Sequence, residues 1–241
     1  MIKFLLFKIS RYLLRIQNHK KIIQFLSINN NKNILVLCDV GCAGGLEPRW
    51  KLFEKYIRTI LFEPDIRSST ELKNKGLKVI EKALWSETLQ KKFYLTKNLG
   101  ASSLYKLNKL YLDFFPDSER LVIVDVIKID VSKMDNLIDS KNHPNFIKLD
   151  AQGAELEILK GSTNILKNVL GLEIEVSFKK IYKKIPLAYD VEKFLNSQGF
   201  VLNDFLTFIR WERTLYRGFG EIVFGNALFL RTPEKIIEIS K

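Results

Sequence analysis

The chain is short of the residues that build metal centres and disulfide frameworks. Its 241 residues include two cysteines and two histidines. Cys38 and Cys42 lie four positions apart, and no second Cys/His pair could complete a tetrahedral site, which excludes a zinc-finger or ribbon organisation. They read as small buried residues of a reducing compartment, which points to the cytoplasm. Neither histidine is a good proton acceptor for catalysis: His19 sits in a basic leader and His143 in a loop beside Pro144. Acidic residues are missing altogether from residues 1–33, which hold seven Lys or Arg. Long uninterrupted apolar runs are missing too. Between Met1 and Ile16 the charges of Lys3, Lys8, Arg11 and Arg15 recur too often for a signal-peptide core or a membrane span.

The leader reads instead as a basic amphipathic helix, with Phe4, Leu5, Ile9 and Leu13 among its apolar residues. Two readings stay open. One is a peripheral contact of residues 1–28 with an anionic membrane surface at its inner, cytoplasmic face. The other is a helix packed on the domain or on a second subunit. Because the leader carries more than half of the net charge of +12, the rest of the chain is only mildly basic. A nucleic-acid footprint across it is not expected. Length and apolar content fit one sizeable core, so the expected organisation is an extension over 1–33 and one catalytic domain over 34–241.

Within that domain, Ile34–Val40 is apolar up to Asp39, as a strand buried on both faces should be. A glycine-rich turn, Gly41 to Gly45, leads to a helix near Leu46–Lys55. A second strand, Thr59–Phe62, ends at Glu63-Pro64-Asp65. A helix over Ile66–Lys75 and a third strand over Leu77–Leu84 follow. This alternation predicts a doubly wound, mostly parallel α/β sheet. Lys91–Thr96 with a partner after Gly100 reads as an inserted hairpin, and Val122–Asp130 as another strand. The alternation resumes with a strand at Phe146–Asp150, a helix at Glu155–Lys167, a strand at Val169–Phe178 and a helix at Val191–Gln198. Phe200–Leu206 and Glu221–Arg231 have no helix between them and are expected to pair antiparallel.

Open α/β sheets bind ligands outside the carboxyl ends of their strands, where Asp39, Gly41 to Gly45 and Glu63 fall. Glu63 follows Gly41 by 22 residues, close to the roughly 20 that separate a glycine turn from an acid accepting ribose hydroxyls. A dinucleotide site would need glycines at the first, third and sixth positions, which here hold Gly41, Ala43 and Leu46. The second of those glycines lets the backbone approach a pyrophosphate, so a cofactor without phosphate fits better. In the S-adenosylmethionine reading the turn takes the amino-acid moiety, Glu63 takes the ribose and Ala83, at the end of the third strand, neighbours the adenine. A nicotinamide-dependent reductase is the rival enzyme, disfavoured also by the lack of a recognisable Tyr/Lys pair. A catalytically silent binding module, using its leader to meet a membrane or partner, is the rival from another class.

Three carboxylates of the second half are candidate general bases: Asp150 at a strand end, Glu155 at the following helix start and Glu173 in the next strand. Together they could hold a hard divalent cation through oxygen ligands, though no metal is expected. Glu175 shares the face of Glu173 by the period of two and reads at least as well as a structural ion-pair partner.

The run Phe146-Ile147-Lys148-Leu149-Asp150-Ala151-Gln152-Gly153-Ala154-Glu155-Leu156-Glu157-Ile158-Leu159-Lys160-Gly161 resembles the FkbM-type methyltransferases. Asp39 to Gly45, Phe62-Glu63-Pro64, Ala83-Leu84-Trp85-Ser86, Gly100-Ala101-Ser102-Ser103-Leu104 and Gly171 to Val176 support it, in the family's order over residues 34–231. The resemblance implies a class I, Rossmann-like fold: a seven-stranded sheet with a terminal antiparallel strand. It implies S-adenosylmethionine as methyl donor and a hydroxyl acceptor on a sugar, polysaccharide precursor or natural product. It also implies cofactor contacts at Asp39, Gly41, Gly45 and Glu63, with the Gly100–Leu104 hairpin near the reacting groups, and the expected cofactor-binding set is completed by Ala43, Ala83, Ser102 and Asp150. Asn226 departs from the pattern, where an acid is expected.

Overall fold

The computed structural model of the chain describes residues 35–51, 53–116, 118–213, 216–232 and 234–236. The basic leader, and every expectation placed on residues 1–28 or 1–33, lies outside them. The chain divides into two compact units, one of residues 1–35 and 47–58, the other of 36–46 and 59–241. In the first, the helix expected over Leu46–Lys55 is a single turn, α1 (Pro48–Lys51), followed by a 3-10 turn at Glu54–Tyr56.

The larger unit carries the sheet. Strands β1 (Leu35–Val40), β2 (Ile57–Phe62), β3 (Val79–Ile80), β7 (Phe146–Leu149), β8 (Gly171–Ser177), β9 (Phe200–Arg213) and β10 (Tyr216–Arg231) form one sheet in the order β3-β2-β1-β7-β8-β10-β9. β1 with β7, β7 with β8 and β2 with β3 run parallel, while β10 runs antiparallel to both β8 and β9. This is the doubly wound, mostly parallel arrangement read from the sequence, ending in an antiparallel pair. The central strands are mostly apolar because both faces are covered. Leu37, Cys38, Ile147, Leu149, Leu172 and Ile174 are fully buried. Flanking helices α2 (Ile66–Asn74) and α6 (Ala188–Ser197) bury Leu72 and the pair Val191 and Leu195, respectively. Gly199, at φ +81°, ends α6.

Four features of the larger unit also differ from the sequence reading, each for a local reason. The third strand is split. Val79–Ile80 stays on β2, but Glu81 accepts from the Ser69 hydroxyl at 2.7 Å and pairs with Lys73. The chain turns there, and β4 (Ala83–Leu84) joins a second, three-stranded sheet in the order β4-β6-β5. In that sheet β5 (Leu89–Thr96) pairs antiparallel with β6 (Ile123–Ser132), not with the segment after Gly100. The latter gives one bridge, Tyr94 to Ser103, because Asn98 caps a 3-10 turn at Leu99–Ala101 and the chain then leaves towards α3 (Lys109–Leu112).

The helix expected over Glu155–Lys167 is two, α4 (Glu155–Lys160) and α5 (Thr163–Leu166). Gly161 lies so close to Trp85 that a Cβ would sit 2.1 Å from its carbonyl oxygen, and Asp135 accepts from the amides of Asn164 and Ile165, starting a new helix. Finally, β9 and β10 run on well beyond their expected ends. Glu221 binds Arg213 at 2.6 Å and Lys179 at 2.8 Å, and Trp211 packs edge-on to Phe224, which supports the longer ladder.

A candidate active site at the carboxyl ends of the strands

The turn after β1 is built by backbone. Gly41 (φ +78°), Gly44 (φ +83°) and Gly45 (φ +89°) take the left-handed region that residues with a Cβ avoid. The amides of Gly41 and Cys42 donate to the Phe62 carbonyl, at 2.9 and 3.3 Å. Gly41 is needed for space as well as for its φ: a Cβ there would stand 1.9 Å from the carbonyl oxygen of Asp150. The ends of β1, β2 and β7 are thereby drawn together at the point where the sheet order reverses, which is where open α/β sheets bind ligands. Ala43 sits exposed at the tip of the turn and Gly45 packs against Leu72.

Asp39 is the penultimate residue of β1. It is fully buried and forms an ion pair with Lys148 at 3.1 Å. Strand register puts Asp39, Lys148 and Glu173 in one row across β1, β7 and β8. A carboxylate so enclosed needs its partner, and the row braces the three strands beneath the turn. Glu173, 2% exposed, belongs to this row, four residues before the end of β8.

Glu63 ends β2 as expected and is buried, with Oε1 accepting from the Asp65 amide at 2.8 Å. Burial, with Asp65, Asp150 and Asp39 nearby, raises its carboxyl to about 7 against the opposing pull of the Asp65 amide. Asp65 caps α2, accepting from the Arg67 amide. The Arg67 guanidinium grips both Asp65 oxygens, at 2.9 and 2.5 Å. Ser102 belongs to the same cluster: its hydroxyl donates to Asp65 at 3.1 Å and accepts from the Thr96 amide. Ala83 is 5% exposed and forms part of the main core.

The loop after β7 holds the second half of the site. Gln152 adopts φ +52° and Gly153 φ +99°. The Glu155 carboxylate is committed to this loop, accepting from the amides of Ala151 (2.8 Å) and Gly153 (3.2 Å). Its burial raises it to about 7, with the backbone donors pulling the other way. Glu155 is therefore a brace for the Asp150 loop rather than a free base. Asp150 is instead coupled to two residues that the sequence reading did not select. The Gln152 amide donates to Asp150 at 2.8 Å and to Glu175 at 3.1 Å, while its carbonyl accepts from the buried Tyr182 hydroxyl at 2.8 Å. Burial first, then Asp150 and Glu155, push Glu175 well above the usual carboxylate range. Glu175 was legible as a sharer of the Glu173 face. Its position two residues nearer the strand's carboxyl end is what brings it to the site.

The carboxyl ends of the strands thus carry a glycine turn with the buried acid Glu63 and a carboxylate pair bridged by an amide. Among the described residues no three His, Cys, Asp or Glu side chains gather as metal ligands. No helix among them is long and apolar enough to cross a membrane.

No curated protein matches the chain. Its fold is similar to the methyltransferase FkbM of Methylobacillus flagellatus KT, at 18% identity and a TM-score of 0.46, covering 81% of this chain and 43% of that one. It is also similar to magnesium protoporphyrin IX methyltransferase of Synechocystis PCC 6803, solved with bound SAM, at 11% identity and a TM-score of 0.39, covering 90% and 79%. A third is precorrin-6y C5,15-methyltransferase of Geobacter metallireducens GS-15, at 11% identity and a TM-score of 0.42, covering 86% and 84%. The chain thus spans under half the length of the first of these. The methyltransferase FkbM domain model matches residues 55–202, more than half of the chain. The chain belongs to the FkbM-domain methyltransferase family.

Proposed function

We propose that the protein transfers a methyl group from S-adenosylmethionine to a hydroxyl oxygen of a sugar, polysaccharide precursor or natural product. The observation that carries this reading is the Asp150–Gln152–Glu175 network, held on the same sheet edge as the Gly41–Gly45 turn and Glu63. The cradle fits such a cofactor. The turn carries no dinucleotide glycine pattern, and among the described residues Oε2 of Glu63 accepts no hydrogen bond.

When bound, the cofactor supplies an electrophilic sulfonium methyl. Glu63 would hold the ribose hydroxyls, and the turn would meet the amino-acid end. The acceptor hydroxyl would lose its proton as its oxygen bonds the methyl and the sulfur–methyl bond breaks, and Asp150 would take that proton. Burial and the neighbouring carboxylates favour the neutral form of Glu175, and Asp150, which Gln152 orients, is the base we assign. Gln152, fixed from behind by Tyr182, orients both carboxyls. Alignment of the acceptor with the methyl and exclusion of water supply most of the acceleration.

The test is incubation of the full chain with methyl-labelled S-adenosylmethionine and hydroxyl-rich acceptors, including bacterial glycan extracts. Label that enters the acceptor and survives mild alkali is an ether-linked methyl, as proposed. Label released by alkali is an ester, and would place the methyl on a carboxylate instead.

A further inference from the structure

The Asp65–Arg67 pair is more elaborate than a helix cap requires. An N-cap needs one side-chain oxygen on a helix amide, and Asp65 Oδ1 already accepts from the Arg67 amide at 3.0 Å. Yet the Asp65 side chain, 1% exposed, is saturated on both oxygens by the Arg67 guanidinium and the Ser102 hydroxyl. Arg67 also reaches across to the Thr96 carbonyl at 3.1 Å and to Ser102 at 3.2 Å. The Arg67 and Ser102 hydrogen bonds hold Asp65 ionised despite its burial. Asp65 in turn supplies the amide that orients Glu63. Next along the chain from Ser102, the Ser103 hydroxyl holds the Gln152 carbonyl at 2.7 Å, and Ala101 accepts from Tyr182.

We propose that Arg67 is a positioning residue for the cofactor: it fixes Asp65 against the 96–102 segment so that the Asp65 amide sets the Glu63 carboxylate for the ribose hydroxyls. This rests on the cofactor reading above. A bidentate guanidinium is required for the role, because two parallel hydrogen bonds fix an orientation that the point charge of a lysine does not. Through Ser102 and Ser103 the same segment links the ribose end of the crevice to the Gln152 bridge.

The test is a double-mutant cycle on the full chain, with labelled S-adenosylhomocysteine as probe and equilibrium dialysis as readout. Arg67→Lys is expected to weaken binding about tenfold, within the range for residues coupled in one network. On a Glu63→Gln background the same change is expected to cost less than about twofold, because the group it positions has already gone. Equal weakening on both backgrounds, or none on either, overturns the proposal, since a merely structural role does not depend on Glu63. Should Arg67→Lys fail to fold, Ser102→Ala, which removes one hydroxyl from the cluster, is read by the same cycle. Absence of binding to the unaltered chain would refute the cofactor reading itself. Binding with an additive cycle would refute the role of Arg67 alone.

Discussion

Gly41 offers a quantitative test of the crevice because a second glycine in the same turn serves as its control. Gly41 and Gly44 have nearly the same backbone, φ +78° and φ +83°. An alanine at either therefore incurs the left-handed strain of about 1–2 kcal/mol. Their surroundings differ. At Gly44 a Cβ meets nothing within 4 Å, whereas at Gly41 it stands 1.9 Å from the Asp150 carbonyl oxygen and 2.8 Å from the carbon. Ordinary contact begins near 3.4 Å, so one strand end must move by about 1.5 Å. Two buried backbone hydrogen bonds anchor those ends, Gly41 to Phe62 at 2.9 Å and Asp150 to Val40 at 3.0 Å. Each costs about 1–3 kcal/mol when broken. Gly41→Ala should thus cost at least about 2 kcal/mol more than Gly44→Ala. Urea unfolding of both variants measures the difference, and S-adenosylhomocysteine binding should be lost only in the first. Equal costs, within about 0.5 kcal/mol, would refute the close approach of the turn to the Asp150 loop.

Two further changes test the electrostatics. Lys148→Met leaves Asp39 enclosed without its cation and should destabilise by about 3–5 kcal/mol in urea unfolding, the cost of breaking a buried pair from one side; a loss below about 1 kcal/mol would mean that the row does not brace the strands. Glu63 gives a pH signature. Its folded value near 7 lies above the unfolded carboxylate value of 4.5. The protonated form is favoured by folding, so its contribution is fully present below pH 4.5 and disappears as pH rises through about 7. The shift corresponds to about 3 kcal/mol, and the stability of the unaltered chain relative to Glu63→Gln should fall by up to that amount between pH 4.5 and 8, with parallel curves as the contrary result.

The central strands were legible because burial on both faces leaves apolar runs, as in Leu35–Cys38 and, but for Lys148, in Phe146–Leu149. The glycine turn was legible because three left-handed positions in five residues leave few alternatives to glycine. The site carboxylates were harder to read. Glu155 and Glu173 have the right chemistry, but a carboxylate's partner is set by register and loop path. Glu155 was taken by two amides of its own loop, and Glu173 by a row beneath the strand ends. Glu175 lies only two residues further on, roughly 6.6 Å along the strand, and that distance separates a brace from a crevice wall. Gln152 and Tyr182 carry no signal of their own, since their value lies in a hydrogen bond between segments 30 residues apart. The second sheet was missed for a similar reason: the ladder of β5 is completed by β6, beyond α3, rather than by the nearest extended segment.

The central claim is the cofactor, and calorimetric titration of the full chain with S-adenosylhomocysteine, beside NAD as control, tests it most directly. The account predicts saturable binding of S-adenosylhomocysteine alone, lost in Gly41→Ala and weakened in Glu63→Gln. Binding of NAD alone, or affinity for S-adenosylhomocysteine that ignores both changes, would contradict it.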